Sequence, residues 1–595
     1  MDKYSQLLSH PAWDQARERV LRQLFEALMF EEAFKKATIK GDLISIPAQG
    51  IRTGTEVSYC CRIRETHSFA RHRIIEGPWR VEGDRWQPVT DLAQVLNELS
   101  SNIGADPARL KAFVSELRST QIKQAEVLAQ RGQQPLRTLS FNQIESRLTD
   151  GHPYHPSFKS RLGFTLADSA LYAPEYAPIV TPLLFAVKQS AAVVSATAEM
   201  PFSDVIRAAL GEAIWDLYQQ QLSSRALNLD DYLPLPVHPW QWDEVLALEC
   251  HEAIKSNEMI YLGQLQGYLP QQSIRTLANA EHVENSNIKL SMSLVNTSTS
   301  RVLAPHTVAN AGGISDWLAD IVAEDNYWQD QTRRPIILKE FFAVAYKPAY
   351  SSQNGYGAAS CIWRQSIQSQ LMEGESALPI SALIYQDHDN HPLITPWIDQ
   401  YGTHAWLTEL FQQVYLPVLH LLWKHGLALE SHAQNMMLVH KQGMPQRVAL
   451  KDFHDGVRFK KEFLIDHSYL ERLAEAPAEH SAVNPNSFLE TLDADELRDF
   501  CYDALAFVNL AELAWFMEQN FNYSESMFWE LFARILKDYQ QSHPDLNERF
   551  KLFNVFAEKV QIEQLASRRF QPEIRQRVIE KPNPLAPYRA GSEHE

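Results

Sequence analysis

The sequence predicts an α+β protein. Helical periodicity dominates both ends of the chain, a run of short β-type segments lies between them near the start, and a hairpin sits near residue 440. Residues 11–36 align Val20, Leu21, Leu24, Phe25, Leu28 and Met29 on one apolar stripe, the mark of an amphipathic helix. Residues 43–90 carry LISIP, VSYCCRIR, HRIIE and WRVEG between Gly- and Pro-bearing turns, which predicts a small antiparallel sheet. Helices return over 91–150. GHPYHPSFKSRLGF (151–164) is Pro-rich and aperiodic and reads as a loop, followed by helices over 166–225. LPLPVHPWQWDEVL (233–246) reads as strand, loop and helix entry, and 258–350 as strands and loops. Residues 403–429 predict a helix interrupted at Pro417, 436–452 a hairpin, and 495 to about 567 mostly helices. The last fifteen residues, KPNPLAPYRAGSEHE, read as extended, and no internal repeat is visible.

The 595 residues are 45% apolar and 22% charged, an ordinary globular composition with room for several domains. The net charge of −18 argues against a protein that coats nucleic acid or an anionic membrane. An anionic ligand therefore requires a local basic cluster. The five cysteines (Cys60, Cys61, Cys250, Cys361, Cys501) include no CxxC pair, which argues against a disulfide framework or a cysteine zinc site. The N-terminus lacks a signal-type apolar core and no run of about 18 apolar residues occurs, so the expectation is a cytoplasmic protein without a membrane span.

ESHAQNMMLVHKQGMPQRVALKDFHDG (430–456) carries the most informative local geometry. With strands at 436–440 and 447–451 and a turn over KQGMPQ, pairing 440 with 447 sets Asn435 opposite Asp452. Glu430, His432 and Gln434 lie just upstream. Two carboxylates and an amide oxygen form a hard-oxygen set of the kind Mg²⁺ takes, and protein kinases use a comparable loop Asn and later Asp. The alternative is purely structural: Asp452 capping the hairpin and His432 the preceding helix.

A second constellation, QQSIRTLANAEHVENSNIKLSMSLVNTSTSR (271–301), holds Arg275, Lys289 and Arg301 amid hydroxyls and amides. Read as one strand, 288–296 puts Lys289, Ser291 and Ser293 on one face, a plausible phosphate or carboxylate grip. Solvated surface cations are the bland alternative. No GxxxxGK[ST] and no kinase-type Gly-rich loop is present. His152, His155 and His238 each precede proline; without helical spacing or nearby Cys or carboxylate partners they read as orienting groups in rigid loops rather than zinc ligands. Trp240 and Trp242 read as packing.

Together these motifs resemble the NRPS-independent siderophore synthetases of the aerobactin-synthetase type, the IucA/IucC-like family. GHPYHPSFKSRLGF, LPVHPWQW, QQSIRT, IKLSMSLVNTSTSR, HGLALESHAQN and VALKDFHDG occur in that order, and RFKLFNVF (549–556) is similar too, whereas the first 150 residues carry little that is specific. The resemblance implies a cupped hand: a thumb-like region over 1–150, fingers over 151–400 and a helix-rich palm over 401–595, with antiparallel sheets in thumb and fingers. It also implies a homodimer that uses ATP and Mg²⁺. A citrate-type carboxylate would be adenylated with release of pyrophosphate, then captured by an amine, hydroxylamine or alcohol.

Position by position, the resemblance implies ATP contacts from Ser273, Arg275, Thr276, Lys289, Arg301, Gln434 and Asn435. It implies carboxylate contacts from His155, Lys159, Thr297, Ser298, Arg301 and His432, although Thr297 and Ser298 stand where many members have Thr-Asn. Mg²⁺ would fall to Glu430, Asn435 and Asp452, and the catalytic roles to Arg301, Lys289 and His432, the last as base or oxyanion donor. Arg364 aligns with a family Arg usually followed by Glu-Asn; here Gln365 and Ser366 follow, so it is left outside the expected site. NTSTSR, HPWQWD and KDFHDG are most similar to the subgroup acting on an already monosubstituted citrate or a succinylated hydroxamate. Two alternatives compete: a kinase-like small-molecule phosphotransferase, which would release ADP, and a non-catalytic binding or scaffold protein, indifferent to loss of Arg301.

Overall fold

The computed structural model describes residues 2–589 apart from 52–53, 131–134, 298, 349–351, 353, 388, 479, 481–486, 573 and 575. It is 46% helix and 22% strand, with the strands overwhelmingly antiparallel, the expected α+β class.

The helix Pro11–Phe30, which follows a short one over Asp2–Ser9, starts where His10 caps it by accepting from the Ala12 N–H, with Pro11 at the first turn. Its stripe of Val20, Leu21, Leu24, Phe25 and Leu28 is fully buried. It packs against the helix Pro107–Ala129 and a five-stranded antiparallel sheet built in sequence order from Thr38–Lys40 to Arg85–Pro88. Arg71 and Arg73 of this sheet pair with Glu26 and with Glu512 of a distant C-terminal helix. Four buried charges thus neutralise one another and tie the two ends of the chain together.

The helical expectation over 166–225 is corrected. Leu183–Lys188 and Ala192–Ala196 are strands between the helices Leu166–Tyr172 and Phe202–Leu210. LLFAVK and AVVSA are short apolar runs without the polar alternation that distinguishes a strand from a helix; the first is buried and the second a half-buried edge strand. Leu183–Lys188 is the centre of a three-stranded sheet, and Ala192–Ala196 closes the edge of a six-stranded one. That sheet runs Tyr268–Pro270, Thr276–Asn279, Asn287–Leu290, Ser360–Arg364, Phe342–Tyr346, Ala192–Ala196, all antiparallel. A 20-residue helix, Pro305–Glu324, also interrupts the region read as strands and loops. Its Gly312 and Gly313 resemble a loop in sequence, yet Gly312 is needed for packing: a Cβ there would lie 2.8 Å from the Ala196 backbone.

The helix over 403–425 is continuous through Pro417. Proline lacks the N–H and crowds the preceding turn; here a wider π-type turn, Phe411–Tyr415, absorbs the misfit. Gly426 ends the helix at φ +73°, where a Cβ would collide with the Phe463 carbonyl, and the chain turns into the strand Leu427–Leu429. This helix, Ile314 and Trp317 of Pro305–Glu324, Phe30, and the C-terminal helices share one apolar cluster. The segment Ala494–Phe521 has the length and mean hydropathy of a membrane-crossing helix without being a continuous apolar run, and 78% of its apolar window is buried inside the fold. All five cysteines are buried and free.

Candidate active site

The expected ligand motifs converge on one cleft of about 420 Å³. On one wall, Arg275, Lys289 and Arg301 project from the six-stranded sheet and the hairpin Met292–Asn296/Thr299–Arg301. Opposite stand Glu430, His432, Gln434, Asn435 and Asp452 from the turn after Leu427–Leu429 and the end of the hairpin Met436–Lys441/Met444–Leu450. Ser273, Thr297 and His155 complete the lining.

The hairpin register is one residue off the expectation. The turn is only Gln442-Gly443, and a bulge lies between Val439 and His440, so Met436 pairs Leu450 and the Lys451 N–H donates to the Asn435 carbonyl. Asp452 is one step beyond, at φ +67°. It reaches the metal-type group because the chain bends there, not because it sits directly across the ladder. The anion strand is also corrected. It breaks at Ser291 into Asn287–Leu290 and Met292–Asn296, which belong to different sheets. Lys289 faces the cleft, while Ser291 donates to the Gly357 carbonyl and Ser293 bonds Gln241.

Two expected contacts lie behind the cleft wall. Lys159 is 1% exposed and spends its ammonium on Glu175 at 2.7 Å and the Thr149 carbonyl at 2.7 Å, as a buried ammonium must. Thr276 accepts from the Ser273 hydroxyl at 2.7 Å and so orients it. Ser298 lies outside the described residues.

Burial shapes the electrostatics. Desolvation lowers Lys289 to about 8 and, with Arg275 nearby, Arg301 to about 10. Burial would raise Asp452, but Lys289 (3.1 Å) and Arg364 (2.6 Å) hold it well below the usual carboxylate range. Burial raises Glu430, with Arg458 opposing. The oxygen set fits a hard cation. Asn435 gives its amide nitrogen to the Glu430 carbonyl at 3.0 Å, leaving its oxygen uncommitted; Asp452 commits only Oδ1 to its cations; the Glu430 carboxylate has no hydrogen-bond or ion-pair partner among the described residues.

The ring of His432 has a defined tautomer. Its Nδ1 accepts from the Gln434 N–H at 3.2 Å, so in the neutral ring the proton sits on Nε2. Burial lowers its pKa to about 4, so the neutral ring offers an Nε2–H donor to the cleft. His152, His155 and His238 repeat the arrangement, each accepting at Nδ1 from an N–H two residues on. Because the folded-state pKa is depressed, His432 becomes charged only as pH falls towards 4. Turnover should show no acid limb near 6.5 from this residue, and His432→Gln, which keeps an N–H donor, should retain at least tenfold more activity than His432→Ala. Equal losses in the two variants would contradict the donor role.

Sequence reading left Arg364 outside the site, and passed over His454, Glu340 and the acids Asp455 and Asp503. His454 Nδ1 meets Glu340 at 2.6 Å, and its Nε2 lies 3.5 Å from Lys289. The signal was slight: one charge in the apolar strand SCIWR, and one His after KDF.

A basic wall and a hard-oxygen set in one cleft suit an anionic ligand and a hard cation. Residues 140–385 match the IucA / IucC family and 404–578 the "Ferric iron reductase FhuF-like transporter" family. The second range holds one cysteine, the buried Cys501, so it has no cysteine set for an iron–sulfur cluster. The chain is 35% identical to the 2-[(L-alanin-3-ylcarbamoyl)methyl]-3-(2-aminoethylcarbamoyl)-2-hydroxypropanoate synthase of Staphylococcus aureus (strain NCTC 8325 / PS 47), over 96% of this chain and 93% of the relative. It is also 35% identical to the citryl-spermidine/3,4-dihydroxybenzoyl-citryl-spermidine:spermidine ligase of Bacillus anthracis, over 96% and 94%. The crystal structure of petrobactin biosynthesis protein AsbB from Bacillus anthracis str. Sterne superposes with a TM-score of 0.90 at 34% identity, covering 98% of this chain and 97% of that one. The chain belongs to the IucA/IucC family of siderophore synthetases, and is a ligase of siderophore biosynthesis. The phosphotransferase alternative is not favoured.

Proposed function

We propose that the enzyme activates the free carboxylate of a monosubstituted citrate with ATP, forming an acyl-adenylate, and transfers the acyl group to a primary amine. The observation that carries this is the convergence of Arg275, Lys289 and Arg301 on Glu430, Asn435 and Asp452 within an acidic protein. A similar relative named for citryl-spermidine and spermidine supports the acid and amine classes.

In the first step a carboxylate oxygen bonds the α-phosphorus as the bond to the β-phosphate breaks and pyrophosphate leaves. Arg275, Lys289 and Arg301 offset the repulsion between the two anions and hold them in line. Glu430, Asn435 and Asp452 would hold Mg²⁺, which supplies further neutralisation of phosphate charge. In the second step the neutral amine nitrogen bonds the acyl carbon and AMP leaves, the nitrogen's proton passing to solvent. His432 Nε2–H and Arg301 stand to donate to the developing oxyanion. Asp455, Asp503, Phe488 and Phe500 also line the cleft, beside Arg458, and the two acids suit an ammonium on a methylene chain. We also take the enzyme to act as a homodimer, by resemblance to the family; sedimentation velocity tests this.

Product nucleotide decides the chemistry. Purified protein with ATP, Mg²⁺, a diamine and a panel of citrate, citryl monoamides and 2-oxoglutarate should yield AMP and pyrophosphate, fastest with a citryl monoamide. ADP as product would restore the phosphotransferase. Equal turnover of free citrate would sink the monoamide assignment.

A further inference from the structure

Asp452 is the one metal-type ligand held by two cations, and they differ in kind. Lys289 lines the cleft, and its Nζ lies 3.1 Å from Asp452 Oδ1. Arg364, at the end of the buried strand Ser360–Arg364, is 1% exposed and does not line the cleft. Its Nη1 reaches the same Oδ1 at 2.6 Å, and its Nη2 donates to Gln271 Oε1 at 3.3 Å. No other hydrogen bond or ion pair to the Asp452 carboxylate exists among the described residues.

We infer that Arg364 is the standing counter-ion of Asp452: it presents the carboxylate to a divalent cation and leaves Lys289 free to turn to the phosphates of a nucleotide. The inference rests on the ATP-using reading above. The reason is competition for one ammonium. A buried carboxylate needs a compensating charge at all times. Without Arg364, Lys289 is the only direct partner Asp452 has, and moving it to a phosphate would leave the anion uncompensated until a divalent cation arrived. With Arg364 in place, the transfer leaves Asp452 compensated. The geometry suits that division. Arg364 is anchored in the centre of a six-stranded sheet, and its planar fork spans two acceptors. Lys289 is a single charge on a flexible stem with a second acceptor, His454 Nε2, 3.5 Å away. Asp452 also sits at φ +67°, a backbone state a non-glycine residue holds only when its surroundings impose it, and the guanidinium is the fixed part of those surroundings. Arg364 does not line the cleft and acts through Asp452, so it is a positioning residue.

The test uses full-length protein, a non-hydrolysable ATP analogue and Mg²⁺, titrated by calorimetry alongside the AMP assay. Arg364→Ala should weaken analogue binding in Mg²⁺ at least tenfold, and raise the half-saturating Mg²⁺ by a similar factor, while KM for the acid moves less than twofold. Arg364→Lys should recover part of the loss. In an Asp452→Asn background Arg364→Ala should add less than twofold, because the partner is already neutral. Unchanged nucleotide and Mg²⁺ affinity, or additive effects in the double variant, overturns the inference. If Arg364→Ala does not fold, the same cycle with Arg364→Lys decides, coupling with Asp452→Asn supporting the inference and additivity overturning it. ADP from the parent enzyme, with the binding pattern intact, would instead overturn the ligase reading and leave the role of Arg364 standing.

Discussion

Arg301→Ala is expected to lower acid-dependent AMP formation by about 10³-fold, the scale for removing a preorganised charged donor from a transition state. Arg301 is prepared for that role. One nitrogen, Nη2, is committed to the Asn296 carbonyl and Thr297 Oγ1, both at 3.0 Å, which fixes the plane of the guanidinium. The side chain lines the cleft, and burial lowers its pKa only to about 10, so it carries its charge at pH 7. Arg301→Lys should restore little, because a single ammonium cannot keep the Asn296–Thr297 anchor and face the reacting groups together. Acid-dependent exchange of pyrophosphate into ATP isolates the first step and should fall with it. Activity within tenfold of the parent would mean that Arg301 only holds the hairpin together, and would revive the scaffold reading.

Asp325→Ala is expected to cost about 3–5 kcal/mol of stability, since it strips the common partner from several buried donors. Asp325 is fully buried after the helix Pro305–Glu324. Its Oδ2 meets His420 at 2.8 Å and His425 at 2.6 Å; its Oδ1 takes Lys424 at 2.6 Å and the Tyr327 N–H at 2.8 Å. Tyr539 holds the other nitrogen of His420. Three helices are joined here, and one of them leads through Gly426 into Glu430 and His432. The midpoint of chemical denaturation measures the loss; a shift worth under 1 kcal/mol would rule out this cluster as a major tie. The sign with pH follows. Burial, opposed by the hydrogen bond to Asp325, lowers His420 from its ordinary 6.5 to about 4, so unfolding takes up a proton, and this contribution is complete above about 6.5 and lost as pH falls towards 4. Asp325, held far below its ordinary value by His420, His425 and Lys424 against the pull of burial, adds a second loss in stronger acid. The parent should lose stability steadily from pH 6.5 downward.

The ligand-type motifs were legible because their chemistry is local. HGLALESHAQN and KDFHDG state their donor types in order, and QQSIRT and NTSTSR their cations, and the cleft brings these segments together. The α+β class was legible from period and turn chemistry, and the helix Pro11–Phe30 from its apolar stripe. Short apolar strands were not. Leu183–Lys188 is covered on both faces and Ala192–Ala196 is a half-buried edge strand without polar alternation, so no period marks either. Nor was the hairpin register: the Val439/His440 bulge adds one residue to one strand, and counting back from a presumed turn puts every partner beyond it one place off.

Residue types and their order, then, reveal which chemistry this chain can perform, because a carboxylate, an imidazole or a guanidinium brings its donors and acceptors wherever it lies. Which of them face the ligand is a tertiary matter. Lys159 and Lys289 are both buried lysines inside recognisable motifs, yet one is consumed by Glu175 behind the wall and the other opens into the cleft. The neutral His432 ring keeps its proton on Nε2 because the Gln434 N–H occupies Nδ1. Arg364 belongs beside Asp452 only because a strand some ninety residues earlier in the chain runs beneath it. Burial and partnership set charge, tautomer and direction, and these depend on contacts between segments that sequence spacing does not encode.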